Sequence, residues 1–100
     1  MPALWISHVN VSDPEAYAEY AKRAVPVVEA MGGVFVARGA EFQQLEGDEW
    51  QRHTIIRFPS LDVARSCYDS ADYQEALTFA DGASDRELVI VEVSEDHAIP

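Results

Sequence analysis

Basic residues are scarce in this sequence, and their scarcity argues against one large class of partner. The chain has seven Lys and Arg residues against eighteen Asp and Glu, which gives a formal charge of −11 at pH 7. The few basic residues are scattered along the chain, whereas a nucleic-acid-binding surface needs a basic patch that neutralises phosphates. We therefore expect no nucleic acid among the partners.

Cysteine and long apolar segments are also scarce. The single cysteine, Cys67, cannot form an intramolecular disulfide, and no basic segment followed by an apolar one opens the chain. No apolar run approaches the roughly 20 residues that span a bilayer. These features predict a cytoplasmic protein that does not enter a membrane.

Motifs for metals, cofactors and common nucleophiles are missing from the sequence. It contains no HxxxH or CxxC spacing, no phosphate-binding or dinucleotide-binding glycine loop, and no Ser-His-Asp order. We therefore predict no metal site and no cofactor.

The length and composition are those of one small globular domain. The chain has 100 residues, of which 48% are hydrophobic and 25% charged. We expect a single domain over residues 1–100, with a core at about residues 3–93 and a short C-terminal tail at residues 94–100.

The order of the predicted elements is β-α-β-β-α-β. Apolar, β-prone segments predict strands at residues 4–9, 34–37, 51–58 and 88–93. Helical spacing of apolar residues predicts a long helix after a cap at residues 12–15, and two shorter helices that begin at Ser60 and Ser70.

Two local irregularities are expected. Pro26 interrupts the long helical pattern, and because proline lacks the backbone donor, a kink or break is predicted near residues 22–25. Residues 42–45 are predicted to continue the second strand after a bulge, before an acidic turn leads into the third strand.

The element order predicts an α+β, ferredoxin-like fold with both helical layers on one face of a four-stranded sheet. The first and last strands are apolar on both alternating faces, and a chain of 100 residues has no element left to cover the second face. We therefore predict a homodimer in which two sheets face each other as a dimeric α/β-barrel.

A series of short motifs occurs in one order along the chain: Trp5-Ile6-Ser7-His8-Val9, Asp13-Pro14-Glu15-Ala16-Tyr17, Gly32-Gly33, Arg38-Gly39, Leu45-Glu46-Gly47, Phe58-Pro59-Ser60 and Tyr68-Asp69-Ser70-Ala71-Asp72-Tyr73-Gln74. From about residue 3 to residue 93, the chain resembles DUF1330, a domain of unknown function. The resemblance implies a dimeric α/β-barrel, found mainly in bacteria and related at fold level to small cofactor-free oxygenases. It implies no established activity.

The chain departs from the pattern that it resembles at two places. Members of the family often carry a second glycine after the Arg-Gly pair, and an arginine a few residues after the Tyr-Gln pair. Here Ala40 and the stretch Thr78-Phe79-Ala80 stand at these positions. An anion site built on that arginine is therefore not expected in this chain.

His8 is the leading candidate for a catalytic residue. It shares one alternating face of the first strand with Leu4 and Ile6, so its ring is expected to point into a packed layer or a cavity. There it can act as a general base or anchor a ligand. The alternative is a core histidine that only makes a hydrogen bond.

Four further residues are candidate ligand contacts. Arg38 ends the second strand, where its guanidinium can reach a carboxylate at a pocket mouth or pair with one of the many acids. His53 lies in the third strand and can approach His8 if both face the barrel interior. Tyr68 and Tyr73 flank the helix start at Ser70, which can hold an anion, although Ser70 is already explained as a cap.

Two functions of different classes remain open at this point. The first is a cofactor-free enzyme that acts on a small organic molecule in a pocket between sheet and helices, with His8 as base and Arg38 orienting the substrate. The second is a non-catalytic dimer that binds a metabolite or serves as a stress-related accessory protein. A cavity of a few hundred cubic ångströms beside His8 is the feature that discriminates between them.

Overall fold

The structure, a computed structural model, describes residues 1–94. The predicted tail at residues 94–100 lies outside the described residues except for Ser94. The described chain forms these elements in order: β1 (Ala3–Val11), α1 (Pro14–Ala30), β2 (Val34–Arg38), β3 (Arg52–Phe58), α2 (Leu61–Asp69), α3 (Ala71–Leu77) and β4 (Ser84–Glu92).

The four strands form one antiparallel sheet in the order β2-β3-β1-β4. The long strand β1 is central, and Ile6 lies opposite Ile55 of β3 and Val89 of β4. The predicted α+β, ferredoxin-like fold is confirmed by this order of strands and helices.

Helix α1 begins where the sequence predicts. The Asp13 carboxylate accepts a hydrogen bond from the Ala16 backbone N–H at 3.2 Å, and Pro14 occupies the first turn, where proline loses no helical hydrogen bond. After the helix, Gly32 takes a φ of +87°, a conformation that other residues rarely adopt. These two features set the limits of α1.

The predicted break at Pro26 is wrong, because α1 runs without interruption from Pro14 to Ala30. Pro26 cannot donate to the carbonyl of Lys22, but both residues are exposed. Water can therefore reach that carbonyl, and the proline ring lies on the solvent side of the helix. The buried side of the helix carries Tyr17, Tyr20, Ala24 and Val28 into the hydrophobic core on both sides of the proline.

Pro26→Ala is expected to raise the free energy of unfolding by about 1–2 kcal/mol. The alanine restores the missing donor and removes the ring, a gain that is partly offset because the unfolded chain becomes more flexible. Urea denaturation measures this difference. The matched control is Pro14→Ala, which restores no helical hydrogen bond and should leave stability unchanged or lower; a destabilised Pro26→Ala variant contradicts the explanation.

Serine caps begin both short helices, as predicted. The Ser60 hydroxyl accepts from the Val63 N–H at 3.1 Å, and the Ser70 hydroxyl accepts from the Tyr73 N–H at 3.2 Å. The Ser70 hydroxyl also donates to the Cys67 carbonyl at 2.7 Å. Ser70 therefore ends α2 and begins α3, and it turns the chain so that Tyr73 enters the core.

The main core lies between the helices and one face of the sheet. Trp5 is at its centre, with its ring 5.7 Å from that of Phe58 and 5.2 Å from that of Tyr73. The Cys67 thiol is buried in the same cluster, and this burial raises its pKa to about 11. We call the sheet face that carries Trp5 the inner face.

The opposite face of the sheet, which we call the open face, is largely apolar and is uncovered by any element of residues 1–94. Its valines have large exposed fractions: Val34 62%, Val36 61%, Val89 55% and Val91 45%. Leu4, Ile6 and Ile55 lie among them and are half-buried. The prediction that β1 and β4 carry apolar residues on both faces is confirmed.

The predicted continuation of β2 over residues 42–45 is wrong. These residues belong to a segment without regular structure that separates β2 from β3. The sheet irregularity lies earlier, between Phe35 and Ala37. The Phe42 ring packs against His53, with 4.2 Å between ring centroids, so this apolar side chain contacts the sheet without joining it as a strand.

None of the helices within residues 1–94 combines the length and the hydropathy that crossing a bilayer demands.

Candidate active site and its arginine-lined cavity

A cavity of about 550 Å³ lies between α1 and the inner face of the sheet. Its walls are largely apolar, with Trp5, Val9, Val28, Phe35 and Ile56 among the lining residues. This volume is within the usual range for small-molecule sites, about 300–1,000 Å³.

Three arginines line this cavity: Arg38, Arg52 and Arg86. They are three of the seven basic residues of the chain. Within residues 1–94, no Asp or Glu lines the cavity and none of the three arginines forms an ion pair. The cavity is therefore a concentration of positive charge in a protein that is otherwise strongly acidic.

A β-bulge turns Arg38 toward the cavity. The register between β2 and β3 shifts between Phe35 and Ala37, so Arg38 lies opposite Thr54, which lines the cavity. Simple alternation would place Arg38 on the open face with Val34, because side chains two and four residues apart share a face. The predicted ligand contact Arg38 thus lies on the cavity wall.

Arg52 approaches the cavity from the first residue of β3. Its guanidinium carbon lies 5.6 Å from the centroid of the Tyr17 ring, and Tyr17 lines the cavity as well. The guanidinium carbon of Arg38 likewise lies 5.0 Å from the centroid of the Phe35 ring. Both arginines are exposed, so their guanidinium groups meet solvent at the cavity mouth.

Arg86 is half-buried and belongs to a hydrogen-bonded cluster with two tyrosines. The Tyr20 and Tyr73 hydroxyl oxygens are 2.7 Å apart, and Arg86 Nη2 donates to both, at 3.1 and 3.2 Å. The guanidinium also lies 4.8 Å from the Tyr20 ring centroid. Among residues 1–94, the buried Arg86 Nε has no hydrogen-bond partner.

Burial keeps the phenol of Tyr20 protonated. Desolvation, together with the neighbouring Tyr73, raises the pKa of Tyr20 well above its ordinary value and outweighs the opposing effect of Arg86. Desolvation raises the pKa of Tyr17 too, against the pull of Arg86 and Arg52. Both hydroxyls are therefore neutral hydrogen-bonding groups at physiological pH.

His8 does not lie in this cavity, and the expectation that it faces a pocket between sheet and helices is wrong. Strand alternation places Trp5, Ser7 and Val9 on the inner face and His8 on the open face. The predicted approach of the two histidines does occur there, because His8 and His53 lie directly opposite in register. Their Nδ1 atoms are 2.7 Å apart.

In the histidine pair one Nδ1 donates and the other accepts this hydrogen bond. Aromatic rings flank the pair: Phe42 lies against His53, and Trp50 lies 6.3 Å from His8 between ring centroids. Among residues 1–94, no group of three or more His, Cys, Asp or Glu side chains is placed to hold a metal ion.

The two tyrosines predicted as ligand contacts lie away from the cavity wall. Tyr73 is completely buried and touches the cavity only through Tyr20 and Arg86. Tyr68 is half-buried against Trp5 and Tyr73 and lines a separate, more open depression beside β4. The helix start between them is occupied by the Ser70 hydroxyl, which accepts from the Tyr73 N–H.

Comparison with known families matches residues 2–94 to the family described as "Domain of unknown function (DUF1330)". The chain belongs to the DUF1330 family. No curated protein matches its sequence at a significant level.

Solved structures similar to this DUF1330 protein share its fold. A protein of unknown function from Rhodopseudomonas palustris is 24% identical, with a TM-score of 0.78 over 94% of this chain and 83% of that chain. SnoaB, a cofactor-independent oxygenase from Streptomyces nogalater, is 14% identical, with a TM-score of 0.64 over 94% of each chain. A dimeric protein of unknown function and ferredoxin-like fold from Bacteroides fragilis is 16% identical, with a TM-score of 0.58 over 92% and 96% of the two chains.

Sequence reasoning missed Arg86 in this DUF1330 protein. The last strand was predicted to begin at Leu88, whereas β4 begins at Ser84. Alternation carried back from Ile90 and Leu88 places Arg86 on the same face of the strand. That face is the inner one, because Arg86 lies opposite Val9 of β1.

Proposed function

We propose that this DUF1330 protein is a homodimer that binds a small, mostly apolar organic acid in the arginine-lined cavity of each subunit. The observation that carries the proposal is the convergence of Arg38, Arg52 and Arg86 on one apolar cavity without an acidic partner among residues 1–94.

A carboxylate is the ligand that matches this cavity best. Arginine presents a planar fork of donors that pairs with both oxygens of a carboxylate. The chain has a formal charge of −11, yet the three arginines of the cavity have no acidic neighbour on its wall. An anion bound in the cavity would therefore be electrostatically favoured. The aliphatic and aromatic wall then contacts the apolar body of the ligand.

The open face supports the homodimer. Exposed valines on β2 and β4 flank half-buried isoleucines of β1 and β3, and a contiguous apolar face of this kind is rare in monomers. The relative from Bacteroides fragilis, which has the same fold, is dimeric. The unpaired, buried Cys67 fits a reducing compartment, and we place the dimer in the cytoplasm.

A cofactor-free enzyme is the second candidate, and the fold similarity to the oxygenase SnoaB favours it. In that case molecular oxygen is the co-reactant, and the protein supplies binding and orientation of an acid that oxygen can attack. His8 is not proposed as the base for this cavity, because it lies on the other side of the sheet.

Binding is tested by thermal unfolding with sodium benzoate and with benzamide at equal ionic strength. We expect benzoate to raise the Tm by several degrees and benzamide to leave it nearly unchanged. Stabilisation grows with the logarithm of ligand concentration over Kd, and 1 kcal/mol corresponds to about 4–8 °C in a domain of this size. Equal shifts with the two compounds, or no shift with either, contradict an anion site.

Catalysis is tested separately on the same protein. Acids that stabilise the fold are incubated with it in air, and oxygen consumption is followed with an electrode. Consumption that depends on the protein and stops in the Arg38→Gln, Arg52→Gln double variant supports the enzyme. Stabilisation without consumption supports the non-catalytic binder.

A further inference from the structure

We infer that the Tyr20 hydroxyl donates a hydrogen bond into the cavity, and that the ligand is an organic acid with a second oxygen, of the carbonyl type, which accepts it. This inference rests on the proposed function, because it assigns one more contact of the same bound acid.

The direction of the hydrogen bond between the two tyrosines follows from burial. Tyr73 has no exposed surface, and its hydroxyl contacts Tyr20 and Arg86. Arginine only donates, so the single acceptor available to the Tyr73 proton among residues 1–94 is the Tyr20 oxygen. The reverse direction leaves the Tyr73 proton buried without an acceptor, which is costly.

The Tyr20 oxygen therefore accepts twice, from Tyr73 and from Arg86 Nη2. Its own proton has no acceptor among residues 1–94, and Tyr20 lines the cavity whereas Tyr73 does not. The free direction for that proton is toward the cavity. An oxygen atom of a bound molecule is the acceptor that completes the cluster.

Arg86 strengthens this donor. A phenol oxygen that accepts hydrogen bonds, one of them from a cation, becomes a better donor through its own proton. The raised pKa of Tyr20 keeps that proton in place. A buried donor of this kind selects a ligand that has an acceptor and disfavours one that lacks it.

The two ends of the cavity then recognise different oxygens. Arg38 and Arg52 are exposed, so a carboxylate beside them keeps part of its hydration. Tyr20 and Arg86 are less exposed, and a neutral carbonyl costs less to bury there than a charged group. The ligand class is therefore an acid with its carboxylate at the mouth and a carbonyl-type oxygen at the inner end.

Calorimetric titration with two isosteric acids tests the inference. 4-Acetylbenzoate carries a C=O group where 4-isopropenylbenzoate carries C=CH₂, and the two compounds are otherwise alike. We expect the protein to bind the acetyl compound about tenfold more tightly, the difference that one strengthened hydrogen bond produces. The Tyr20→Phe variant should bind both acids equally, at the affinity of the isopropenyl compound.

The matched variant is Tyr73→Phe. It removes a donor to the Tyr20 oxygen but leaves the Tyr20 proton and Arg86, so most of the preference should remain, and circular dichroism checks that both variants are folded. Equal binding of the two acids by the wild-type protein overturns the inference and leaves the anion site standing. A preference that persists in folded Tyr20→Phe also overturns it. Failure of both acids and of benzoate to bind overturns the anion site itself.

Discussion

Val89→Glu is expected to convert the proposed homodimer into folded monomers. Val89 lies near the middle of the open face, opposite Ile6, which in turn lies opposite Ile55. Burying a carboxylate in the proposed, largely apolar interface costs several kcal/mol, which weakens association by about 100-fold or more. Sedimentation velocity over a concentration series measures this loss.

The folded subunit should tolerate the same change. Val89 is 55% exposed in the single chain, and substitutions at exposed sites usually alter stability by less than about 0.5 kcal/mol. The control is Leu61→Glu, which adds the same charge at the first turn of α2, on the helical side of the subunit. If Leu61→Glu remains a dimer while Val89→Glu is a monomer, the interface lies on the open face. If Val89→Glu remains a dimer, the proposed interface is contradicted.

Replacing both exposed arginines of the cavity, Arg38→Gln and Arg52→Gln, is expected to weaken benzoate binding by about 100-fold. Hydrogen bonds to a charged group contribute about 1.5–3 kcal/mol, and about 1.4 kcal/mol is a factor of ten. Neither arginine forms an ion pair within residues 1–94, so the free energy of unfolding should change little. Calorimetric titration and urea denaturation of the same preparation measure the two quantities.

The matched control for this pair is Arg57→Gln. Arg57 is exposed and unpaired within residues 1–94, like Arg52, and it lies on the same strand. However, it lies opposite Leu4 and Val34, on the open face. The Arg57→Gln variant should therefore bind benzoate as tightly as the wild-type protein. A comparable loss in Arg57→Gln means that the effect is one of net charge and not of the cavity.

The helix boundaries were predictable because local chemistry sets them. The side chains of Asp13, Ser60 and Ser70 accept hydrogen bonds from free backbone N–H groups of the first turn, and Pro14 has no N–H to satisfy. These caps require only neighbours in sequence. The predicted break at Pro26 was wrong because the helix there depends on contacts that are distant in sequence. Burial of Tyr20, Ala24 and Val28 in the core, which no local signal reports, stabilises the helix through the proline.

The candidate site was less predictable because it depends on which face of the sheet a residue occupies. Alternation grouped His8 with Leu4 and Ile6 correctly, but only the position of the helices shows that this face is the open one. Arg38 reaches the cavity through a bulge at Val36 that simple alternation does not predict. Arg86 was missed because the polar residues before Leu88 hid the start of β4.

The central claim is that the small-molecule site lies between α1 and the inner face, not on the open face that carries His8 and His53. Methyl NMR during a benzoate titration tests this claim directly. Ile56 lines the cavity, whereas the next residue towards the N-terminus, Ile55, lies on the open face opposite Ile6. We predict that benzoate shifts the methyl signals of Ile56, Val9 and Val28 and gives intermolecular contacts to them, while Ile55, Ile6 and Val89 stay unchanged. Shifts confined to Ile55, Ile6 and Val89 would contradict the account.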